Sequence, residues 1–182
     1  MLAGHQKDGF WEFSVRTYRS PGVSDACLSL QNDYGADVNM LLFCCWLGTF
    51  GGELDRQLLA RAAKFSTKWA QAVVLPIRST RTWMKQTGCT AEGVPAEACM
   101  ALREKIKSVE LETERLQQEV LESLVSKEQL SKAVPAEFPE ASMVALKQYA
   151  AYADIQVCDD VQRKLLVIID AALADQERRS SA

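Results

Sequence analysis

The chain has 182 residues, 48% of them hydrophobic and 25% charged, with a formal net charge of −3. That balance excludes general polyanion binding driven by bulk charge, and the length suits one domain with an extended arm. The longest apolar run, residues 40–47, is far below the roughly 20 residues a membrane-spanning helix needs, and the N-terminus lacks the apolar stretch of a secretory signal, so a cytoplasmic protein is expected.

A first helix is expected from near Asp8 to about Arg19, with Trp11, Val15 and Tyr18 as its apolar row and Phe10 and Phe13 as a shorter second row. Proline suits a first helical turn and not an interior, so a second helix is expected from about Pro21 to Asp33, burying Val23, Cys27, Leu28 and Leu30. Gly35 fits the left-handed position after a helix, and Asp37 is the expected N-cap of a third helix over residues 38–47. That helix is apolar on nearly every side, which marks it as the central core element. A fourth helix is expected over about 53–74, with Leu54, Leu58, Ala62, Phe65 and Trp69 as its buried stripe. Leu75-Pro76 reads as a break, followed by a fifth helix over about 77–87.

The longest helical pattern covers about 96–132. Leu102, Ile106, Val109, Thr113, Leu116 and Val120 step alternately by four and three, and Leu111, Leu121, Leu124 and Val125 widen the stripe. Packing within the chain, against the last two helices, is favoured over a coiled-coil dimer, because the repeat lasts only about three heptads. Those last two helices are expected over about 140–153 and 156–178. The expected fold class is all-α: a compact multi-helix bundle with a long C-terminal helical hairpin. Residues 1–90 would form the N-terminal helical core region, and residues 91–182 a long-helix hairpin packing on it.

The chemistry-bearing residues are sparse. A single histidine, His5, and six cysteines without a C-x-x-C pair argue against a metal site, and the cysteines read as reduced, small core hydrophobes. No metal ligands and no cofactor are expected. No G-x-S-x-G elbow, phosphate loop or dinucleotide fingerprint is present. Asp33 and Asp37 lie four residues apart, but Gly35 between them makes helix capping the better reading than a catalytic carboxylate pair. Arg16, Gln31, Asp33, Asp37 and Asn39 remain the candidate polar site, because they are polar residues beside an apolar core. In a rival reading Asp33, Asp37 and Arg16 are the polar groups of a cavity lined by Trp11, Tyr18, Tyr34 and Trp46, in a small-molecule-binding or metal-dependent helical enzyme using Asp33 and Asp37.

Charge is unevenly distributed: residues 1–52 carry 3 basic and 5 acidic side chains, residues 53–88 carry 7 and 2, and residues 89–182 carry 11 and 17. In the basic middle, Arg61, Lys64 and Lys68 share one helix face, and Arg78, Arg81 and Lys85 repeat the same spacing. These six read first as a solvated face partly neutralised by the acidic C-terminal helices, and otherwise as a candidate patch for an anion, for RNA or the ribosome, or for an acidic protein surface, including the chain's own long helix.

The segments FWEFSVRTY (10–18), PGVSDACLSLQNDYGADVN (21–39) and LLFCCWLG (41–48), with KWAQAVVLPIRSTR (68–81) less distinctly, resemble a small uncharacterised family of proteobacterial proteins, a domain of unknown function. The resemblance implies no activity and no ligand. The functional expectation is therefore a non-enzymatic cytoplasmic protein that acts by protein–protein interaction.

Overall fold

The computed structural model describes residues 9–50, 54–88, 94–126 and 138–180. The protein is all-α, and among the described residues there is no strand. Helices α1 (Phe10–Arg19), α2 (Val23–Tyr34) and α3 (Val38–Gly48) occupy the N-terminal third. Helix α4 (Arg56–Trp69) runs through a π-helical turn (Ala70–Val74) into α5 (Leu75–Gln86). Helix α6 (Ala96–Ser123) is the longest, and α7 (Phe138–Tyr152) and α8 (Asp159–Ser180) follow. The expected extension of α6 to residue 132 runs, past residue 126, outside the described residues.

Helix boundaries follow turn chemistry. Gly35 takes the left-handed conformation (φ 72°), its N–H bonding the Gln31 carbonyl while the Ala36 N–H reaches Leu30, which closes the orphan carbonyls of α2. Asp37 caps α3, its side chain accepting from the Asn39 N–H. Pro21 departs from expectation: it lies in a turn ahead of α2, and Gly22 at φ 80° supplies the reversal. The expected break at Leu75-Pro76 is likewise replaced by continuous helix. The Leu75 N–H bonds the Ala70 carbonyl, one residue further back than in an α-helix. This wider turn places Pro76 in the first turn of α5, where a missing N–H costs least.

Helix α3 forms the centre, with every residue from Asn39 to Gly48 buried. Trp46 packs against Phe10 at 5.3 Å between ring centroids and against Phe50 at 5.1 Å edge-on, and Phe43 meets Phe10 at 5.6 Å. Burying each such side chain stabilises the fold by roughly 1.5–3 kcal/mol. Helix α7 lies directly on α3, so close at Gly48 that a Cβ there would sit 2.0 Å from Ser142 Oγ and 3.0 Å from its backbone nitrogen. Helix α8 covers α2 and adds Val161, Leu165, Ile168, Ile169 and Ala172 to the same core.

Several expected faces are rotated. In α1 the shorter row is the buried one: Phe10, Phe13, Ser14 and Thr17 point inward, while Trp11, Val15 and Tyr18 are half-buried. Trp11 instead lies beneath the Arg115 guanidinium, 5.8 Å from its ring centroid. Leu28 of α2 is exposed rather than buried. The long helix α6 packs mainly on α5, α1, α3 and α4 rather than on the last two helices. It meets α5 as an antiparallel neighbour, with Met84, Cys99 and Ile106 as a small apolar cluster of their own. Cys99 is disulfide-bonded, which corrects the reading of every cysteine as a reduced thiol; Cys27, Cys44, Cys45 and Cys158 are free.

Candidate functional site

The inward face of α6 is polar. Glu110, Thr113, Gln117 and Gln118 are buried there together with Leu121, and each polar side chain requires a partner in place of water. Two groups of residues supply most of those partners.

The first group comes from α5. Arg78 donates from Nε to Glu110 Oε1 at 2.9 Å, from Nη1 to Gln31 Oε1 at 2.6 Å and from Nη2 to Glu114. Arg81 donates from Nε to Glu110 Oε2 and from Nη2 to Glu110 Oε1 at 3.1 Å. Burial works against the charge on Arg78, but hydrogen bonds and attraction from Glu110 and Glu114 outweigh it and hold its pKa above the ordinary value. Hydrogen bonding to Glu110 has the same effect on Arg81. Desolvation disfavours the charge on Glu110, yet the two arginines outweigh it and lower that pKa. Glu114 goes the other way, since its desolvation exceeds the attraction of Arg78 and raises its pKa.

The second group surrounds the start of α3. Asp37 Oδ2 accepts from Ser66 Oγ and from Gln117 Nε2 at 2.9 Å, while Oδ1 accepts the Asn39 N–H at 2.8 Å. Gln117 Oε1 accepts from Asn39 Nδ2 at 2.9 Å, and Asn39 Oδ1 accepts from Gln118 Nε2 at 2.7 Å. The Tyr149 hydroxyl accepts the Asp37 N–H at 2.8 Å, and burial pushes the Tyr149 pKa well above the ordinary phenol. The network thus links α3, α4, α6 and α7. Gln118 Oε1 is its one buried oxygen without a partner.

The candidate polar residues are divided among these groups. Asp37 and Asn39 join the α3 network, and Gln31 joins the arginine cluster. Arg16 reaches across to α8, donating from Nε to Asp175 Oδ2 at 2.9 Å. Asp33 stays exposed and accepts from Ser29 Oγ at 2.6 Å on its own helix. Asp33 and Asp37 therefore do not converge. The expected aromatic lining is similarly dispersed: Trp46 is in the core, Trp11 under Arg115, and Tyr34 donates to Asp160 Oδ2 at 2.8 Å.

The six candidate basic residues split in the same way. Arg78 and Arg81 face inward and are neutralised by α6. Arg61 donates to the Leu124 carbonyl at 3.4 Å. Lys64, Lys68 and Lys85 are exposed.

The solvent side of α6 carries an apolar row among charged residues such as Glu104, Lys105, Glu112 and Glu119. Leu102, Val109 and Leu116 are 52%, 51% and 49% exposed, and Val120 is 38% exposed. These are members of the heptad row, and the structure divides that row. Ile106 packs toward Met84 and Cys99, and Thr113 is buried beside Trp69, whose Nε1 donates to the Thr113 carbonyl at 2.9 Å. The other positions face solvent. The sequence carried a signal for this arrangement in the glutamines: Gln117 and Gln118 lie one turn from Leu121 and share its buried side of the helix.

One further cluster lies where α2 meets α8. Asp160 accepts from Tyr34, Lys164 and Arg163, and its pKa is lowered to about 2, chiefly by Lys164. Tyr34 is raised to about 12 by the same hydrogen bond. An open surface depression of about 290 Å³ beside it is lined by Asp159, Gln162, Arg163 and Leu166. Among the described residues no group of three or more His, Cys, Asp or Glu is placed to hold a metal ion, and no helix is long and apolar enough to cross a membrane.

The model of a family described as a protein of unknown function (DUF2390) matches residues 9–121. No curated protein and no solved structure matches the chain.

Proposed function

Because the chain belongs to the DUF2390 family, whose function is unknown, we propose from the geometry that it acts by binding another protein through the outer row of α6. The observation that carries this reading is the inversion of that helix. Its inward face spends polar side chains on internal partners, while Leu102, Val109, Leu116 and Val120 form a continuous half-exposed row about 27 Å long at 1.5 Å rise per residue. Single exposed apolar residues are ordinary, but an aligned row on one helix has the form of a helix-recognition surface. The internal pairing of Arg78 and Arg81 with Glu110 and Glu114 also weighs against nucleic-acid binding by the basic helices, because it removes two of the six cations from that face.

The test places a photo-crosslinking residue at Ser108, an exposed position next to Val109, in the native host. A covalent adduct with a protein is expected, and it is expected to disappear in the Leu102→Glu/Leu116→Glu variant. Absence of any adduct, or an adduct indifferent to that variant, overturns the reading.

A further inference from the structure

We infer that the outer face of α6 is occupied by a second copy of this chain, paired antiparallel about a two-fold axis near Val109. This inference rests on the reading of α6 as an interaction surface and names its partner.

The three central members of the row are symmetric about Val109, while Val120 has Ala98 as its counterpart. Leu102 and Leu116 lie seven residues either side of Val109, at the same angular position within the drift of a straight helix. A two-fold axis through Val109 lays Leu102 of one copy on Leu116 of the other and Val109 on itself, so a single patch serves both chains.

Charge selects the direction. Lys105 precedes Val109 by four residues and Glu112 follows it by three, which sets both on the same outer edge of the row. Both are exposed. Neighbouring charges are already engaged within the helix: Arg103 and Lys107 with Glu104, and Arg115 with Glu119. Lys105 and Glu112 have no ion-pair partner among the described residues. Antiparallel pairing brings Lys105 of each copy beside Glu112 of the other, twice per dimer. Parallel pairing in register would put the two copies of Lys105, and of Glu112, on opposite edges of the interface, where neither charge meets its complement. In an antiparallel coiled-coil pairing the outward row corresponds to one core position of the heptad, and Lys105 and Glu112 to the position flanking it.

The other core row is already covered by the chain itself, at Ile106 and Thr113. The interface is therefore narrow, and a dissociation constant in the micromolar range, about 1–100 μM, is expected.

Sedimentation of the full chain over about 1–300 μM tests this by mass action. The expected result is a concentration-dependent dimer. Leu102→Glu/Leu116→Glu is expected to weaken it by about thirtyfold or more, leaving a monomer of unchanged helix content. Lys105→Glu alone and Glu112→Lys alone are expected to weaken it by about three- to tenfold, and the double exchange Lys105→Glu/Glu112→Lys to restore it. A wild-type chain that is monomeric throughout overturns the inference. So does a dimer that survives the apolar substitutions, or a charge exchange that fails to restore association. If the chain is monomeric and the Ser108 crosslink still traps a different protein, the second-copy assignment fails while the interaction reading stands.

Discussion

Helices α3 and α6 are both packed against several neighbours, yet they are held by different forces. Helix α3 is apolar all round and buried all round, with Trp46, Phe43 and Leu47 almost fully buried. Helix α6 places Glu110, Gln117 and Gln118 inside and Leu102, Val109 and Leu116 outside. Hydrophobic burial is non-directional and fixes that α3 is central without fixing its rotation; close packing against α7 at Gly48 adds that. Hydrogen bonds are directional, and a buried polar group left unpaired costs roughly 1–3 kcal/mol. The rotation of α6 is accordingly set by matching Arg78, Arg81, Asp37, Ser66 and Asn39, even though this leaves leucines in water. A helix oriented by polar complementarity is free to carry an apolar outer face, and that is the basis for reading it as a docking surface.

The contrast is sharpest under substitution. Trp46→Ala removes the aromatic centre of α3 and is expected to destabilise by about 3–5 kcal/mol in urea unfolding, the range for deleting a large buried aromatic. A loss below 1 kcal/mol would show that α3 is not the packing centre. Gly48→Ala tests the α3–α7 seam. The added methyl group meets Ser142 side chain and backbone, and a loss of about 1–3 kcal/mol is expected despite the better helix propensity of alanine. Pairing it with Ser142→Gly should recover part of that loss, by removing the Oγ that the methyl group meets.

On α6 the corresponding change is Glu110→Gln, which leaves Arg81 without its carboxylate and Arg78 with Glu114 alone, and is expected to cost about 1.5–3 kcal/mol. It also carries a pH signature. The Glu110 pKa is lowered from 4.5 in the folded chain, so its stabilising contribution is complete above that value and lost as pH falls through the folded pKa. Glu114, with its pKa raised, has the opposite sign and favours the folded state as pH falls from its raised value towards 4.5. Wild-type stability is therefore expected to decline below pH 4.5, and Glu110→Gln to flatten that decline. An unchanged acid limb in the variant would remove Glu110 from the account. The smallest effect is expected from Leu102→Gln, within about 0.5 kcal/mol of wild type, because that side chain is half exposed. A large loss of stability from that substitution would mean that the outer row is structural, and would end the comparison.

Much of the fold was legible because it depended on local rules. The ends of α2 and the start of α3 follow from Gly35 and Asp37, whose backbone and capping preferences act within a few residues. The centrality of α3 follows from eight consecutive apolar residues. The π turn before Pro76 was not legible. A proline forbids one hydrogen bond, but whether the chain breaks or widens its helix depends on what packs alongside, and here α6 lies against the π turn, with Trp69 donating to its Thr113 carbonyl. The choice between the two rows of α1 was also hidden, since both are aromatic and the outcome rests on distant contacts: Phe10 packs on Phe43 and Trp46, and Trp11 meets Arg115.

For the candidate site, the sequence identified the participants and could not pair them. Asp37, Asn39 and Gln31 were legible as polar residues beside an apolar core, and Arg78 and Arg81 as members of a basic helix face. Their partners Gln117, Glu110 and Glu114 lie 29 to 80 residues away along the chain, and no local pattern encodes such a pairing. The sequence by itself determined an all-helical chain, its central helix, and the heptad row on α6, because these follow from residue type and spacing. Only the tertiary structure decided which half of that row faces inward. That choice depends on where distant donors and acceptors meet, and hydrogen-bond matching at the buried face outweighed the burial of three more apolar side chains.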